Sequence, residues 1–497
     1  MKKITIAILT ITLLTPNYTH PTVYTNKTYM SLPTPHYYLP MKYSCWHRIL
    51  KQGSNSQTPW GATMQFTPFY RMSDNDIGLG KYFGTNYKNY INIGRTSPTT
   101  DVRSSLIVQN HDFEGSPTDL SGTIKLCPKH TSYGIYFSYH QELNNVNKGL
   151  FFQFNIPLQH VENNLRMCAY DEVKDPSGGV CDYFMGNFSQ TEEAKNKQEA
   201  LTYFKICSPR NKSGIADIEV LVGQKFVEKT EHQISAALKI IVPTGNKPSP
   251  CYMFPAVIGN GRHWGLGAKV NGAMNVTKGN DYSLECLFNL DYTYVFRAEE
   301  KRTLGYRKGF DDSEIVQEHD TSSVMAWGYY LLAGEEGKQG VFPFANVLTR
   351  ELNVLPGGKI QGHTSLAYHR NNTTIDFGYS FYAQEGEKIT AKYWEKDKYA
   401  PANPDYETDV AFGVLDYGTS SPEEGYSIGG PIQPSMLDCN TPSTPAVLKH
   451  SIHAAISYSI SEWENPLAFG CGFSVDWTQD NSTATGYVLW GKVGVTF

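Results

Sequence analysis

Charged side chains recur on one face of the alternating segments in this 497-residue chain. Negatively charged carboxylates and positively charged lysines share these faces with one histidine. Such side chains can line an aqueous path and bias its ion preference, or they can pair with each other inside a filled interior. Both interpretations stay open at this point. The candidate pore-lining residues are Asp217, Glu219, Lys239, Lys269, Glu285, Asp291, Asp376, Lys449, His453, Asp476 and Lys492.

Catalytic chemistry has weaker support in the sequence. His450 and His453 share one segment and could belong to a membrane-embedded hydrolase, but their neighbours lack the diagnostic sequence of such a site. The chain contains no GxSxG and no HExxH motif. The acidic pairs at 311–312 and 423–424 are better explained as solvated loop charges than as calcium ligands. We therefore expect no enzyme activity, no metal site and no cofactor.

Long alternating strands are the elements that would position the charged side chains. In Leu284–Phe296 the even positions are apolar, whereas the odd positions include Glu285 and Asp291. These segments run for about 10–15 residues, which exceeds the ~5–6 residues of soluble strands and suffices to cross a bilayer at a tilt. The same period of two recurs near residues 218–222, 234–242, 266–274, 375–381, 452–458 and 467–477.

Two architectures produce such faces, a soluble sandwich with its apolar faces inside and a membrane barrel with its apolar face towards lipid. The connections favour the barrel, because short turns alternate with long loops. The short turns lie near 143–147, 228–232, 278–281, 371–372 and 461–466, and the long loops near 160–213, 244–263, 299–360 and 383–447.

We therefore predict an all-β fold, an antiparallel transmembrane β-barrel of about 12–14 strands over residues 61–497, with long extracellular loops. The strand candidates include 121–127 and, on weaker patterns, 102–109 and 61–70. An even number of strands places both ends of the chain in the periplasm.

The chain ends on an alternating strand with a terminal aromatic residue. Tyr487, Val495 and Phe497 share one face of this strand. The pattern resembles the signal by which bacterial outer-membrane proteins are recognised for assembly. We expect these three residues to form an assembly signal, with outer-membrane lipid and the barrel-assembly machinery as partners. The predicted location is the outer membrane of a Gram-negative-type bacterium.

The N-terminus has the pattern of a secretory signal peptide, predicted over residues 1–20. Lys2 and Lys3 precede the apolar stretch Ile4–Leu14, which is too short to span a bilayer. Residues 21–60 are rich in Pro, Tyr and Thr and are expected to form either a periplasmic extension or a plug of the lumen. Export permits disulfides among the nine cysteines, but their spacing does not fix any pairing.

Composition excludes several classes of protein. A hydrophobic fraction of 40% excludes a disordered chain, and no apolar run of ~20 residues follows the N-terminus, which excludes a helical membrane bundle. The net charge of −5 argues against a dedicated nucleic-acid binder, so we expect no nucleic-acid partner.

A glycine-rich stretch carries a family resemblance. Gly259-Asn-Gly261 opens a strand rather than a helix, which argues against a phosphate-binding loop. Together with the preceding Pro243-Thr-Gly-Asn246 and the strand pair LCPKHTSYGIYFSYHQEL…GLFFQFNIPL, it resembles outer-membrane proteins of the phenol meta-pathway class, which are loosely related to the long-chain fatty-acid transporter family. The resemblance spans roughly residues 121–290 and the final strands. It implies a barrel of about twelve to fourteen strands and uptake of small hydrophobic compounds.

The first functional hypothesis is a porin-like channel for passive passage of small solutes, including small hydrophobic compounds. The alternative is a surface-exposed barrel for adhesion or host interaction, with the loops at 299–360 and 383–447 as its working part. A membrane-embedded hydrolase ranks third. The sequence identifies no solute, and it leaves open whether residues 21–60 block the lumen.

Overall fold

The computed structural model of the chain describes residues 23–45, 61–94, 101–103, 121–173, 178–189, 198–207, 209–229, 231–307, 326–336, 338, 340–396, 398–401, 414–416, 427–429 and 431–497. The predicted signal peptide at 1–20 and the acidic pairs at 311–312 and 423–424 lie outside the described residues.

Twelve long strands form one closed antiparallel barrel, so the predicted architecture is confirmed. Each strand pairs with its neighbours along the chain, and β1 pairs with β12 to close the ring. Their bounds are β1 Ala62–Ser73, β2 Lys129–Glu142, β3 Leu150–Asn164, β4 Ile218–Glu228, β5 His232–Val242, β6 Gly265–Lys278, β7 Tyr282–Val295, β8 Gly357–Arg370, β9 Thr373–Gln384, β10 Val447–Ile460, β11 Leu467–Thr478 and β12 Gly486–Thr496.

The connections separate the two ends of the barrel. The five short turns of two to seven residues lie at one end, together with the start of β1 and the end of β12, where Thr63 is opposite Thr496. The five connections of more than twenty residues lie at the other end, together with the seven-residue connection 479–485. We call these the turn end and the loop end, and their asymmetry is that of outer-membrane barrels.

Two predicted barrel strands are wrong. Ser121–Lys125 pairs with Tyr90–Gly94 and with Cys168–Val173 in a small sheet of the long connections, and Val102–Arg103 lies at the edge of that sheet. These strands have at most six residues and are too short to cross a bilayer. The barrel therefore has twelve strands, the lower end of the predicted range of 12–14.

Apolar side chains cover the outside of the barrel. Leu238 on β5 is 70% exposed and Phe377 on β9 is 60% exposed, and the same alternation holds on every strand. Aromatic residues on this face include Tyr294 and Trp477 near the loop end and Tyr458 near the turn end. In a closed barrel every strand pairs on both sides, so the backbone hydrogen-bonding groups are all paired in lipid, as an outer-membrane protein requires. No helix among the described residues is long and apolar enough to span a bilayer.

The long connections fold together at the loop end into a layer that we call the cap. Its core is rich in buried aromatic residues, among them Trp327, Tyr330 and Phe184, whose rings pack edge to face. The Trp327 indole, which is buried in this core, donates to the Phe83 carbonyl at 3.0 Å. The cap is therefore a packed structure and not a set of separate loops.

The cap contains short helices and strands. Its helices are Asp76–Phe83, Val180–Met185 and Ala345–Leu348, with 3₁₀ turns at Gly328–Tyr330 and Pro434–Met436. Its further strands are Arg210–Ile215, which also pairs with the loop end of β3, Ala298–Thr303, Gly305–Tyr306, Leu332–Glu335, Phe342–Pro343, Thr349–Leu355, Lys388–Ala391, Tyr399–Pro401, Val414–Asp416, Ser427–Gly429 and Leu437–Asp438.

The N-terminal residues pass through the cap and enter the barrel. Asn26 and Lys27 donate backbone hydrogen bonds to the carbonyls of Gly84 and Tyr82 in the cap. The expectation that both chain ends lie at the turn end therefore does not hold for the first described residues. Residues 35–45, which we call the lumenal segment, form the 3₁₀ turn Pro35–Tyr37 and the helix Leu39–Tyr43.

Candidate functional site: the barrel lumen

The predicted pore-lining residues are all buried, each at most 6% exposed. Ten occupy inward positions of barrel strands, and Asp217 directly precedes β4 at the loop end. Their role in lining a path stays a prediction. Tyr487, Val495 and Phe497 share the outward face of β12, and their role as an assembly signal likewise stays a prediction.

One ion network occupies the middle of the lumen. Lys239 on β5 pairs with Asp291 on β7 and lies 3.5 Å from Glu219 on β4. Lys42 of the lumenal segment lies 2.7 Å from Glu219, which also accepts a hydrogen bond from Asn155 at 2.5 Å. Because burial of a lone charge is costly, the two lysines and two acids stabilise each other's charged forms. The lumenal segment therefore supplies one of the charges that balance the wall.

A second ion cluster lies nearer the loop end. Lys449 on β10 lies 2.8 Å from Asp476 on β11, and the Arg71 guanidinium approaches the same carboxylate at 3.7 Å. The guanidinium also lies over the ring of Tyr38, 5.1 Å from its centroid. The sequence analysis missed Arg71, although it is the next inward position after the apolar Phe69 on a strand that shows period-two alternation.

Two histidines share a third site on β8, β9 and β10. His453 lies 3.0 Å from Asp376, while His363 lies 2.8 Å from Ser380, and the two imidazole rings stack at 5.0 Å. A nucleophilic serine needs one histidine to contact both the serine and the acid. Here those two contacts belong to different histidines. The described residues also contain no group of three or more potential metal ligands.

The lumenal segment is held by non-covalent contacts over its whole length. The Cys45 amide donates to Asp376 at 3.3 Å, and Lys492 donates to the Ser44 carbonyl at 2.5 Å. Near the loop end, the Tyr37 ring packs on Tyr382 with centroids 5.0 Å apart. No disulfide forms within the described part of the chain, so none fixes the segment to the wall.

The glycine-rich motif shapes the mouth of the lumen. Asp217 accepts backbone hydrogen bonds from Asn260 at 2.7 Å and from Gly245 at 3.4 Å. Gly259 has a φ of +78°, and a Cβ there would lie 2.5 Å from the Asp217 carboxylate, so only glycine fits. Burial raises the pKa of Asp217 to about 7, although the two backbone donors lower it. The motif therefore ties a cap loop to the barrel and binds no phosphate in this arrangement.

A charged cluster continues from this mouth into the cap. Glu300 lies 2.8 Å from His263 and 2.7 Å from Arg302, which lies 2.6 Å from Glu387. Burial on its own would raise the pKa of Glu300, but Arg302 and His263 outweigh it and hold the pKa below its ordinary value. Buried ion pairs therefore join the glycine-rich motif to strands of the cap.

A cavity occupies the lumen between the lumenal segment and the turn end. It contains about 670 Å³ of empty space, including its opening to solvent. Its wall combines aromatic and apolar side chains with amides, imidazoles and two lysines. The lining residues are Tyr43, His140, Phe151, Gln153, Lys225, Gln233, Ser235, Lys269, Asn271, Gly272, Ala273, Leu287, Phe288, Asn289 and His363.

No family model and no curated protein matches the sequence. Among solved structures, the chain is similar to an outer-membrane channel from Pseudomonas putida F1, with 9% identity, a TM-score of 0.38, and coverage of 90% of this chain and 98% of that one. It is also similar to the toluene transporter TodX of Pseudomonas putida, with 8% identity, a TM-score of 0.32, and coverage of 96% and 98%.

A third similar structure is a FadL homologue of Pseudomonas aeruginosa, with 7% identity, a TM-score of 0.27, and coverage of 88% of this chain and 89% of that one. The similarity is weak in every case, so these structures identify no substrate for this chain.

Proposed function

We propose that this protein is an outer-membrane channel for passive passage of small solutes, including small hydrophobic compounds. A polar lumen inside an apolar exterior supports the proposal, because a polar interior is what a water-filled channel through a membrane barrel requires. The proposed partners are outer-membrane lipid, the barrel-assembly machinery that reads Tyr487, Val495 and Phe497, and the solute.

The observation that carries the proposal is the non-covalent hold on the lumenal segment. Lys42 and the backbone of residues 44–45 meet the wall through ion pairs and hydrogen bonds, which can exchange with water or with a polar solute. An interior built only for stability would be better served by apolar packing, since a buried ion pair adds little net stability. In this proposal the segment narrows the path, and its displacement widens it.

Liposome swelling tests the proposal. The full chain is reconstituted into vesicles, and the rate of entry of small uncharged solutes is measured. Lys42→Ala removes the ion pair with Glu219 and should raise the entry rate, because the lumenal segment is held less tightly. The matched control is Lys148→Ala, which removes an exposed lysine in the turn between β2 and β3 and should leave the rate unchanged.

Vesicles that exclude every solute with both variants, while the protein keeps the faster gel migration of a folded barrel, would overturn transport. That result would favour the surface-contact alternative, for which the packed cap at the loop end is the supporting observation.

A further inference from the structure

Lys269 on β6 is a buried lysine that lines the cavity at the turn end. Its ammonium lies 4.7 Å from the centroid of the Tyr43 ring, and it has no ion-pair partner among the described residues. The nearby Glu219 and Asp291 are already engaged by Lys42 and Lys239. The other lysine of the cavity, Lys225, is likewise paired, at 2.5 Å from Glu142. The ammonium of Lys269 therefore has no ion-pair partner of its own in the described part of the protein.

Two buried imidazoles that line the same cavity as Lys269 have open hydrogen-bonding positions. Within the described ranges, both ring nitrogens of His140 and the Nε2 of His363 have no hydrogen-bond partner, although each residue is only 4% exposed. Buried polar atoms without partners are uncommon in folded proteins and call for an explanation. A bound acceptor would satisfy these nitrogens and the ammonium together. The two histidines are thus a second and independent observation that points to a ligand.

The remainder of the cavity wall defines the body of that ligand. Phe151 and Tyr43 present aromatic rings, and Leu287 and Ala273 add an apolar surface. No carboxylate of the described residues lines the cavity. A ligand that fits this wall has one compact anionic group and a small apolar or aromatic body.

We propose that this cavity binds a small monocarboxylate with an aromatic body, its carboxylate on Lys269 and the two histidines and its ring between Tyr43 and Phe151. The proposal rests on the proposed function, because it names a substrate class for the same lumen. Tyr43 belongs to the lumenal segment, so the ligand contacts both the barrel wall and the segment that narrows the path.

Calorimetric titration of the full chain in detergent micelles with benzoate tests the proposal. Benzamide keeps the ring without the charge, and acetate keeps the charge without the ring, so both should bind more weakly than benzoate. Lys269→Gln should weaken benzoate binding by about tenfold, the effect of losing one charge-assisted hydrogen bond. Lys269→Arg should retain binding.

The matched control is Lys359→Gln. Lys359 is another buried lysine of the lumen that lies over a tyrosine of the segment, 5.1 Å from the Tyr37 centroid, but it does not line the cavity. Its substitution should leave benzoate affinity unchanged. His140→Phe provides a second variant and should also weaken binding, which keeps the test decisive if Lys269→Gln fails to fold.

Equal affinity of the wild type and Lys269→Gln for benzoate, equal affinity for benzamide and benzoate, or no binding by a folded wild type would overturn the proposal. Titration does not require flux, so its outcome is separable from that of the swelling assay. If solutes enter the vesicles but benzoate does not bind, only the proposed benzoate site is wrong. If benzoate binds but no solute enters, the proposed transport is wrong and the binding site is retained.

Discussion

At the scale of single residues, the lumen is organised by buried charges that cross from strand to strand. Lys239 contacts two acids, Glu219 and Asp291, and all three side chains are at most 1% exposed. Removal of one partner leaves an uncompensated buried charge. The free-energy cost of that charge is far larger than the stability that the intact pair contributes. The lysine is therefore a sensitive position for stability even though the intact network adds little.

Lys239→Met should lower the free energy of unfolding by about 3–5 kcal/mol, because Asp291 loses its counter-ion. Urea unfolding in detergent, followed by the gel migration of the folded barrel, measures the change. Addition of Asp291→Leu should recover part of the loss. Lys338→Met is the control, since Lys338 is 67% exposed in its pair with Glu335 and should cost at most about 1 kcal/mol. Equal effects of the two single substitutions would contradict the network.

The Glu300 cluster predicts an acid-sensitive cap. Its carboxyl has a folded-state pKa below the ordinary value of 4.5, so its contribution to stability is complete above about pH 4.5 and is lost as the pH falls through the folded-state pKa. Limited proteolysis over a pH series should show the cap opening below this range. Glu300→Gln should weaken the cap at neutral pH and flatten the pH response.

The neighbouring carboxylate provides the control for this pH series. Glu299 lies on the same strand, but its side chain is 54% exposed in its pair with Lys392, so Glu299→Gln should leave the pH profile of proteolysis as it is in the wild type. An identical profile for Glu300→Gln would show that the buried cluster does not control the cap.

At the scale of elements, alternation could be predicted, whereas insertion of the N-terminal residues into the lumen was only one of two alternatives for residues 21–60. In β7 the period of two places Leu290 outwards and Asp291 inwards, since a strand repeats every second residue whatever its partners. The segment Ser121–Lys125 was also predicted as a barrel strand but pairs within the cap, because a strand pattern does not encode which strand lies alongside. Residues 35–45 are rich in Pro and Tyr and show no clear hydrophobic period, so the local sequence does not indicate that they are buried in the lumen.

Side chains on the outward face of a barrel strand are expected to contact lipid. Leu238 lies near the middle of β5 and is 70% exposed, so Leu238→Lys should destabilise the barrel in vesicles by about 2–4 kcal/mol, the cost of a lysine near the bilayer midplane. Urea titration of refolding into phospholipid vesicles measures this cost. Val146→Lys, in the exposed turn between β2 and β3, should be neutral. A neutral Leu238→Lys would mean that this face does not contact lipid.

At the scale of the whole molecule, the chain combines a lipid-facing barrel, a cap at the loop end and a segment that runs inside. The pairing of the lumenal charges could not be predicted, because Lys42 and Glu219 are far apart in the sequence and meet only when the segment enters the barrel. The inward position of Glu219 followed from the alternation of β4. The resulting molecule has a polar interior that contains one non-covalently held segment.

Single-channel recording in planar bilayers tests the proposed channel most directly. The wild type is compared with a variant in which residues 35–45 are replaced by an equal length of Gly and Ser, which keeps the chain connected but removes the contacts with the wall. We predict discrete conductance steps for both proteins and larger steps for the variant. Silence from both proteins as folded barrels, or steps of equal size, would contradict a channel that the lumenal segment narrows.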